Sequence, residues 1–286
     1  MLSYQHEYHA GNFADVHKHL CLRILFQSLL KKDKPFSYID CHAGAGSYDL
    51  GSTQARRTGE FAGGIGKLWQ HGQDADSPAL AAYLQAVAAL NKDGELRHYP
   101  GSPALARQWL RTQDKALLFE LHPQAQRTLK KNLGSDPRFS VHARDCYEGL
   151  VALVPPPIRR GLVLLDPSYE VKDEYRRVAA LTAGAHRRWA NAIYAIWYPL
   201  LPASRHLDLL AELNRSGLGN ILLSELTVAE PAAEGGMYGS GMAFVNPPWQ
   251  TDDALDFVIP PVAQILAPGT ARASIRWLTA DPAAGS

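Results

Sequence analysis

The nine residues Gly161-Leu162-Val163-Leu164-Leu165-Asp166-Pro167-Ser168-Tyr169 constrain this chain more than any other stretch. A short apolar run without alternation reads as a strand buried on both faces, the habit of parallel sheets covered by helices. The run ends in an acid. In open α/β sheets the side chains that do chemistry stand just past the carboxyl ends of the strands. Asp166 is therefore expected at that rim, with Tyr169 beside it. The plainer alternative is a turn after a core strand, with Asp166 capping the next helix.

Other stretches repeat the pattern of a strand ending in an acid. Pro35 to Asp40 reads as the first strand, followed by Cys41-His42-Ala43-Gly44-Ala45-Gly46. A strand, an acid and a tight Gly-x-Gly turn make the cofactor crossover of a doubly wound sheet. Asp49 stands where the third glycine of a dinucleotide site belongs, so that site is excluded. Lys115 to Leu121 is the second strand and ends near Glu120, where an acid binds ribose hydroxyls. Phe139 to Ala143 is the third, followed by Asp145-Cys146, where an acid can meet the adenine amino group of a cofactor. For Glu120 and Asp145 the alternative is capping of the following helix. Ser102 suits an N-cap and Pro103 the first helical position.

Phe13 to Lys32 reads as a helix after an irregular arm. Residues 47–99 are too long for one crossover, and Phe61 to Trp69 and Pro78 to Leu90 read as helices. The expected organisation is a Rossmann-like domain over 1–46 and 100–286, with a small helical subdomain inserted at 47–99. Arg56-Arg57 opens the insertion at the active rim. Arg159-Arg160 and Arg187-Arg188 precede strands and belong at the opposite rim. Further on come a helix from Asp173 to Trp189 and a strand from Ala192 to Tyr198 that exits at Pro199. A helix from Pro202 to Arg215, a strand from Asn220 to Leu226 and a flexible turn over Gly235 to Gly241 follow. The chain closes with a strand from Met242 to Asn246, a helix from Asp252 to Leu266 and a strand near Ala273 to Leu278.

Hydrophobic residues make up 46% and charged residues 20% of 286, enough for a sizeable core and against disorder. The net charge of +1 argues against non-specific polyanion binding while leaving room for a local basic patch. Cys21, Cys41 and Cys146 form no disulfide framework, which fits a reducing cytosol. The polar N-terminus is not a signal peptide, and no run reaches the length of a membrane helix. His6, His9, His17 and His19 lack partnering acids or thiols at ligand spacing, so no metal is expected.

Asp166-Pro167-Ser168-Tyr169 is one residue away from D-P-P-Y, the signature of methyltransferases acting on an amino group conjugated to a π system. The nitrogen lone pair of such a group is delocalised. A carboxylate and a backbone carbonyl that accept both amino hydrogens draw the nitrogen toward tetrahedral geometry. Asp166 and the Pro167 carbonyl supply them, and Tyr169 offers a face on which a base stacks, worth roughly 1–3 kcal/mol. Asn246-Pro247-Pro248-Trp249 fits the signature better by letter. Its strand comes late and is expected in a reverse hairpin at the sheet edge, aimed away from the cofactor loop. The glycine loop is similar to D-x-F-x-G-x-G of S-adenosylmethionine enzymes, with His42 in the aromatic slot.

In combination these motifs resemble RlmJ, a family of bacterial 23S ribosomal RNA adenine-N6 methyltransferases. The resemblance runs through Met1 to Tyr4, His9 to Asn12, Lys18-His19, Arg57 to Glu60, Tyr99 to Pro103, Glu120 to Pro123, Arg159 to Gly161 and Trp197 to Pro199. It implies a class I, Rossmann-like methyltransferase fold with a helical insertion. It also implies S-adenosylmethionine as donor, S-adenosylhomocysteine as product and naked 23S RNA as substrate, handled in the cytoplasm by a monomer. It places cofactor contacts at His19, His42, Ser102, Glu120, Asp145, Cys146 and Asp166, the catalytic acid at Asp166, and an RNA-contacting aromatic at Tyr4. The departure is Ser168, where the family usually has proline. The rivals are methylation of DNA adenine or protein glutamine, or an RNA-binding homologue that has lost transfer through Ser168. For Tyr4 the rival role is anchoring the arm in the core.

Overall fold

The computed structural model describes residues 5–72, 76–233 and 235–279. The arm reaches helix α1 (Phe13–Leu30), whose N-cap Asn12 accepts from Ala14 and Asp15 N–H. Strand β1 (Ser37–Asp40), buried at every position, follows. The chain then forms a short strand β2 (Ser47–Asp49) and helices α2 (Thr53–Thr58), α3 (Glu60–Gly63), α4 (Ile65–His71) and α5 (Pro78–Ala88), returning on β3 (His98–Pro100). Next come α6 (Ser102–Trp109), β4 (Lys115–Phe119), α7 (Pro123–Leu133), β5 (Phe139–His142), α8 (Cys146–Leu153) and β6 (Gly161–Leu165). The last part holds α9 (Glu174–Arg188), β7 (Ile193–Leu200), α10 (His206–Arg215), β8 (Ile221–Thr227), β9 (Gly239–Val245), α11 (Thr251–Leu266) and β10 (Arg272–Thr279).

Eight strands make one sheet in the order β10-β8-β9-β7-β6-β1-β4-β5. The five strands from β5 to β7 are parallel, so Asp40, Glu120, Asp145, Asp166 and Leu200 all leave the sheet toward one rim. The chain steps outward from β1 to β4 and β5, then reverses to β6 on the other side of β1. That reversal is the switch point where open α/β sheets bind ligands. Side chains alternate along each strand between two cores. Tyr38, Leu162 and Leu164 face α1 and the inserted helices, while Ile39, Val163 and Leu165 face α8, α9 and α10. Leu162 to Leu165 are fully buried, each worth roughly 1.5–3 kcal/mol. The fold is thus the expected Rossmann-like one, and β6 lies beside β1 as the sequence requires.

Several expectations need correction. The single helix over Phe61 to Trp69 is two, α3 and α4, broken at Gly64, where a Cβ would lie 2.1 Å from the Gly11 carbonyl of the arm. The insertion also holds the β2–β3 ribbon and α2, runs too short and polar to show a period. Gly101, not Ser102, caps α6, because the Ser102 hydroxyl donates to Asp40 at 2.7 Å. Gly239 to Gly241 is strand rather than turn. Gly241 is there because the Tyr198 ring covers it, and an added Cβ would sit 2.0 Å from that ring. Strand β7 runs through Pro199 to Leu200, beyond the end of β6, where one side has no partner. Strand β9 is not at the edge but between β7 and β8. It is antiparallel to both, so Asn246 does leave the sheet at the far rim.

Candidate active site

A cleft of about 460 Å³ opens along the carboxyl rim, within the range of small-molecule sites. Residues after β1, β4, β5 and β6 line it, joined by the arm and α1.

Asp166 does not cap α9. Its Oδ2 accepts from the Nζ of Lys18, which also donates to Asp15 Oδ1 at 2.7 Å. Lys18 is only 4% exposed. Burial works against its ammonium, but Asp15 and Asp166 together hold its pKa above the usual lysine range. Asp15, fully buried, also accepts from the Gly11 N–H and bonds His6 Nε2, both at 2.9 Å. Burial opposes its charge, yet His6 and Lys18 hold it well below the usual carboxylate range. A chain of polar contacts therefore runs from the arm to the Asp166 carboxylate. Sequence reasoning gave Lys18 and Asp15 no role. The signal was an i,i+3 acid–base pair on a helix whose neighbours are apolar on all sides.

Pro167 is buried, and Tyr169 adopts φ 54°, a left-handed backbone that costs a non-glycine residue roughly 1–3 kcal/mol. Two contacts hold it. The Tyr169 hydroxyl donates to the Trp197 carbonyl at 2.7 Å, and its ring packs 4.3 Å from Tyr175. The ring is 8% exposed and lies against Tyr175 and Trp197, lining the cleft rather than standing free.

The glycine loop turns at Gly44, φ 61°, where a Cβ would strike the Tyr48 hydroxyl at 2.2 Å. Glu120 braces it. One carboxylate oxygen accepts the Gly44 N–H at 2.8 Å and the other the His122 N–H at 2.6 Å. Asp40 is buried and accepts from the Tyr38 hydroxyl and from Ser102, which stiffens the loop from below. Asp145 caps α8 through the Tyr147 N–H and lines the cleft as well. His42 accepts the Asp166 N–H on Nδ1 at 3.2 Å and faces Cys146 Sγ with Nε2 at 3.4 Å. His19 bonds the Tyr99 hydroxyl through Nδ1 at 2.7 Å. Its Nε2 is buried without a partner, on a residue that lines the cleft. Burial and then Lys18 lower its pKa to about 3, so the ring is neutral and can donate to or accept from a ligand.

All seven residues expected around a cofactor thus line one cleft with Pro167 and Tyr169. Tyr4 lies outside the described residues. The four arm and α1 histidines are spread over different partners: His6 on Asp15, His9 on Glu60, His17 between Ser224 and Ser240, His19 on Tyr99. Asn246 is occupied elsewhere, its amide donating to the Ala190 and Ala192 carbonyls at 2.6 and 3.0 Å.

Known proteins resemble the chain over nearly its whole length. The chain is 44% identical to ribosomal RNA large subunit methyltransferase J of Escherichia coli (strain K12), over 98% of this chain and 100% of that one. It is 40% identical to the protein of the same name from Haemophilus influenzae, over 98% and 100%. The crystal structure of protein LPL1258 from Legionella pneumophila superposes with a TM-score of 0.87 at 33% identity, covering 94% of this chain and 98% of that one. Residues 33–279 match the family described as ribosomal RNA large subunit methyltransferase D, RlmJ, and the chain belongs to that family.

Proposed function

We propose that this protein is an S-adenosylmethionine-dependent methyltransferase that modifies N6 of an adenine in 23S ribosomal RNA. It acts as a cytoplasmic monomer on naked RNA. The observation that carries the reading is the carboxylate of Asp166, held by buried Lys18 at the switch point of the sheet, within one cleft with the glycine loop. The names of the relatives, both ribosomal RNA large subunit methyltransferases, support the substrate class.

The cleft suits the cofactor. The unpartnered Nε2 of His19 awaits a polar group, and the glycine turn at Gly44 leaves no room for a side chain. His19, His42, Ser102, Glu120, Asp145, Cys146 and Asp166 would hold it. When bound, it supplies an electrophilic methyl group on a sulfonium. With Oδ2 held by Lys18, Asp166 offers Oδ1 to one amino hydrogen of the target adenine, and the Pro167 carbonyl accepts the other. Asp15, Lys18 and Asp166 together carry one net negative charge, which favours the positive charge that develops on the nitrogen. The left-handed turn at Tyr169 fixes where the Pro167 carbonyl points. Tyr4 contacts the RNA, and residues 47–99 form a subdomain that meets it as well.

A methyl-transfer assay on unmodified 23S RNA, matched DNA and protein tests this. Methylated adenine in the RNA alone is the expected result. Label in DNA or protein, or in none of the three, would overturn it.

A further inference from the structure

Helix α1 packs on β9 and β7, and next to Lys18 it carries His17, a fully buried histidine with two serine partners. His17 Nδ1 meets Ser240 Oγ at 2.9 Å, and Nε2 meets Ser224 Oγ at 3.0 Å. A third strand joins them, since the Trp197 Nε1–H donates to the same Ser240 Oγ at 3.0 Å. The register explains the meeting. Trp197 on β7 and Ser224 on β8 both stand opposite Met242 of β9, and Ser240 is two residues from Met242 along that strand. Residues directly opposed, or two apart on one strand, share a face of a sheet. All three side chains therefore point toward α1, and His17 ties them into one chain.

The direction of each hydrogen bond follows from the donors. An indole N–H can only donate, so Ser240 Oγ accepts from Trp197. The Ser240 hydrogen goes to His17 Nδ1, and His17 keeps its own hydrogen on Nε2 for Ser224. Burial lowers the His17 pKa to about 3, so the ring stays neutral and this order is kept. His17, Ser224 and Ser240 are all 0% exposed. Apolar residues of the same shape would fill that place at no greater cost. What the polar trio adds is a fixed orientation for the group at its open end, the Trp197 indole.

That indole stands in the wall of the cleft. Strand pairing sets Leu165 opposite Ile196, so Trp197 is level with Asp166 on the neighbouring strand. Its ring centre lies 6.0 Å from Lys18 Nζ, the ammonium bonded to Asp166, and 5.9 Å from the Tyr169 ring. Tyr169 is packed on Tyr175 and buried, whereas Trp197 is only half-buried. The indole is thus the more open of the two aromatic surfaces beside the carboxylate. We propose that His17 is a positioning residue for methyl transfer. Through Ser240 it sets the plane of the Trp197 indole, the wall against which the target adenine lies with its amino group at Asp166. The proposal rests on the reading of Asp166 as the acid that meets N6. Helix α1 then serves both halves of the site with consecutive residues, Lys18 for the carboxylate and His17 for the wall. A wall free to tilt would let the base drift, and a misplacement of about 1 Å can cost roughly 100-fold in rate.

The test compares Ser240→Ala, His17→Leu, His17→Gln and Trp197→Phe with the unaltered full-length protein on unmodified 23S RNA. Phosphate contacts outside the cleft dominate affinity for RNA, so the loss should fall on kcat. In Ser240→Ala and His17→Leu, kcat per site that binds S-adenosylhomocysteine should drop about tenfold or more. KM for RNA and affinity for S-adenosylhomocysteine should stay within about twofold. His17→Gln, whose amide again offers an acceptor and a donor, should recover most of the rate. Because His17 acts only through the indole, adding Ser240→Ala to Trp197→Phe should cost nothing further. A loss there as large as in Ser240→Ala alone overturns the proposal. So does an unchanged kcat in Ser240→Ala, or a parallel fall in S-adenosylhomocysteine affinity, the mark of a purely structural role. Nitrogen-15 NMR of the indole N–H groups, with Trp197→Phe identifying the signal, reads the pin without turnover. Exchange of the Trp197 N–H with solvent should quicken about tenfold or more in Ser240→Ala, and an equal rate in both forms also overturns the proposal. Failure of the unaltered protein to label 23S RNA would sink the function reading itself, whereas an active protein indifferent to Ser240→Ala sinks only the role of His17.

Discussion

At the scale of the residue, two motifs with nearly the same letters have opposite fates. Asp166 sits where parallel strands end and a buried lysine meets its carboxylate, whereas Asn246 spends its amide on two main-chain carbonyls at the other rim. Asp166→Asn keeps the shape but turns an amide toward the Lys18 ammonium and removes the negative charge. Turnover should fall about 100-fold or more, the scale seen when one group that stabilises a transition state is lost. Asn246→Ala should retain most activity. Near-normal turnover in Asp166→Asn, measured as label transferred per enzyme, would falsify the catalytic assignment. The neighbouring Asp15 gives a finer test. Asp15→Asn leaves the Lys18–Asp166 pair neutral, so kcat should drop while the affinity for S-adenosylhomocysteine holds. An unchanged kcat would show that the charge of Asp15 serves only to bury Lys18.

Between elements, the arm and the insertion are clamped by Glu60. Its carboxylate meets His9 Nδ1 at 2.9 Å and the Asn12 amide at 3.0 Å, and Thr58 donates to the Tyr8 carbonyl. The Glu60 hydrogen bond raises the His9 pKa, against the effect of burial. A raised histidine stabilises the clamp fully below its unfolded value near 6.5, and the contribution is lost as pH rises through the higher folded value. Hydrogen exchange over residues 5–12, corrected for intrinsic rates, should therefore quicken as the pH rises past the ordinary histidine value of 6.5. Glu60→Gln should flatten that dependence, and an equally steep profile in the variant would rule the clamp out. Elements of this kind are where the sequence was hardest to read. The strands and their acids were legible because each is a continuous apolar run with punctuation. The pieces α2, α3 and β2 are six residues or fewer and take their form from packing against the arm, distant in sequence. Glu120, read as a ribose ligand or a helix cap, also braces the glycine loop from a neighbouring strand, an interaction no local pattern encodes.

Across the whole molecule, the basic pairs divide by the polarity of the sheet. Arg159-Arg160 and Arg187-Arg188 precede β6 and β7, at the amino ends of parallel strands. Arg160 and Arg188 are engaged with main-chain carbonyls of Leu29, Lys34 and Val154. Arg56 and Arg57 are exposed on α2, which adjoins the arm at the mouth of the cleft. Replacing both with alanine should weaken RNA binding and reduce the salt slope by roughly 0.7–0.9 for each phosphate no longer neutralised, with little effect from the other pairs. Equal losses from all three pairs would contradict that polarity. Helix α1 has a consequence of a different kind, in time rather than space. It is made long before β9 and α11, yet it packs against both. At about 5–20 residues per second, the sides that meet β9 and α11 wait roughly ten to fifty seconds for their cover, while α5 covers another side earlier. Until then Lys18 has no fixed seat beside Asp166. A growing chain therefore holds Asp15, Lys18 and Asp166 long before all the elements that seat them are in place.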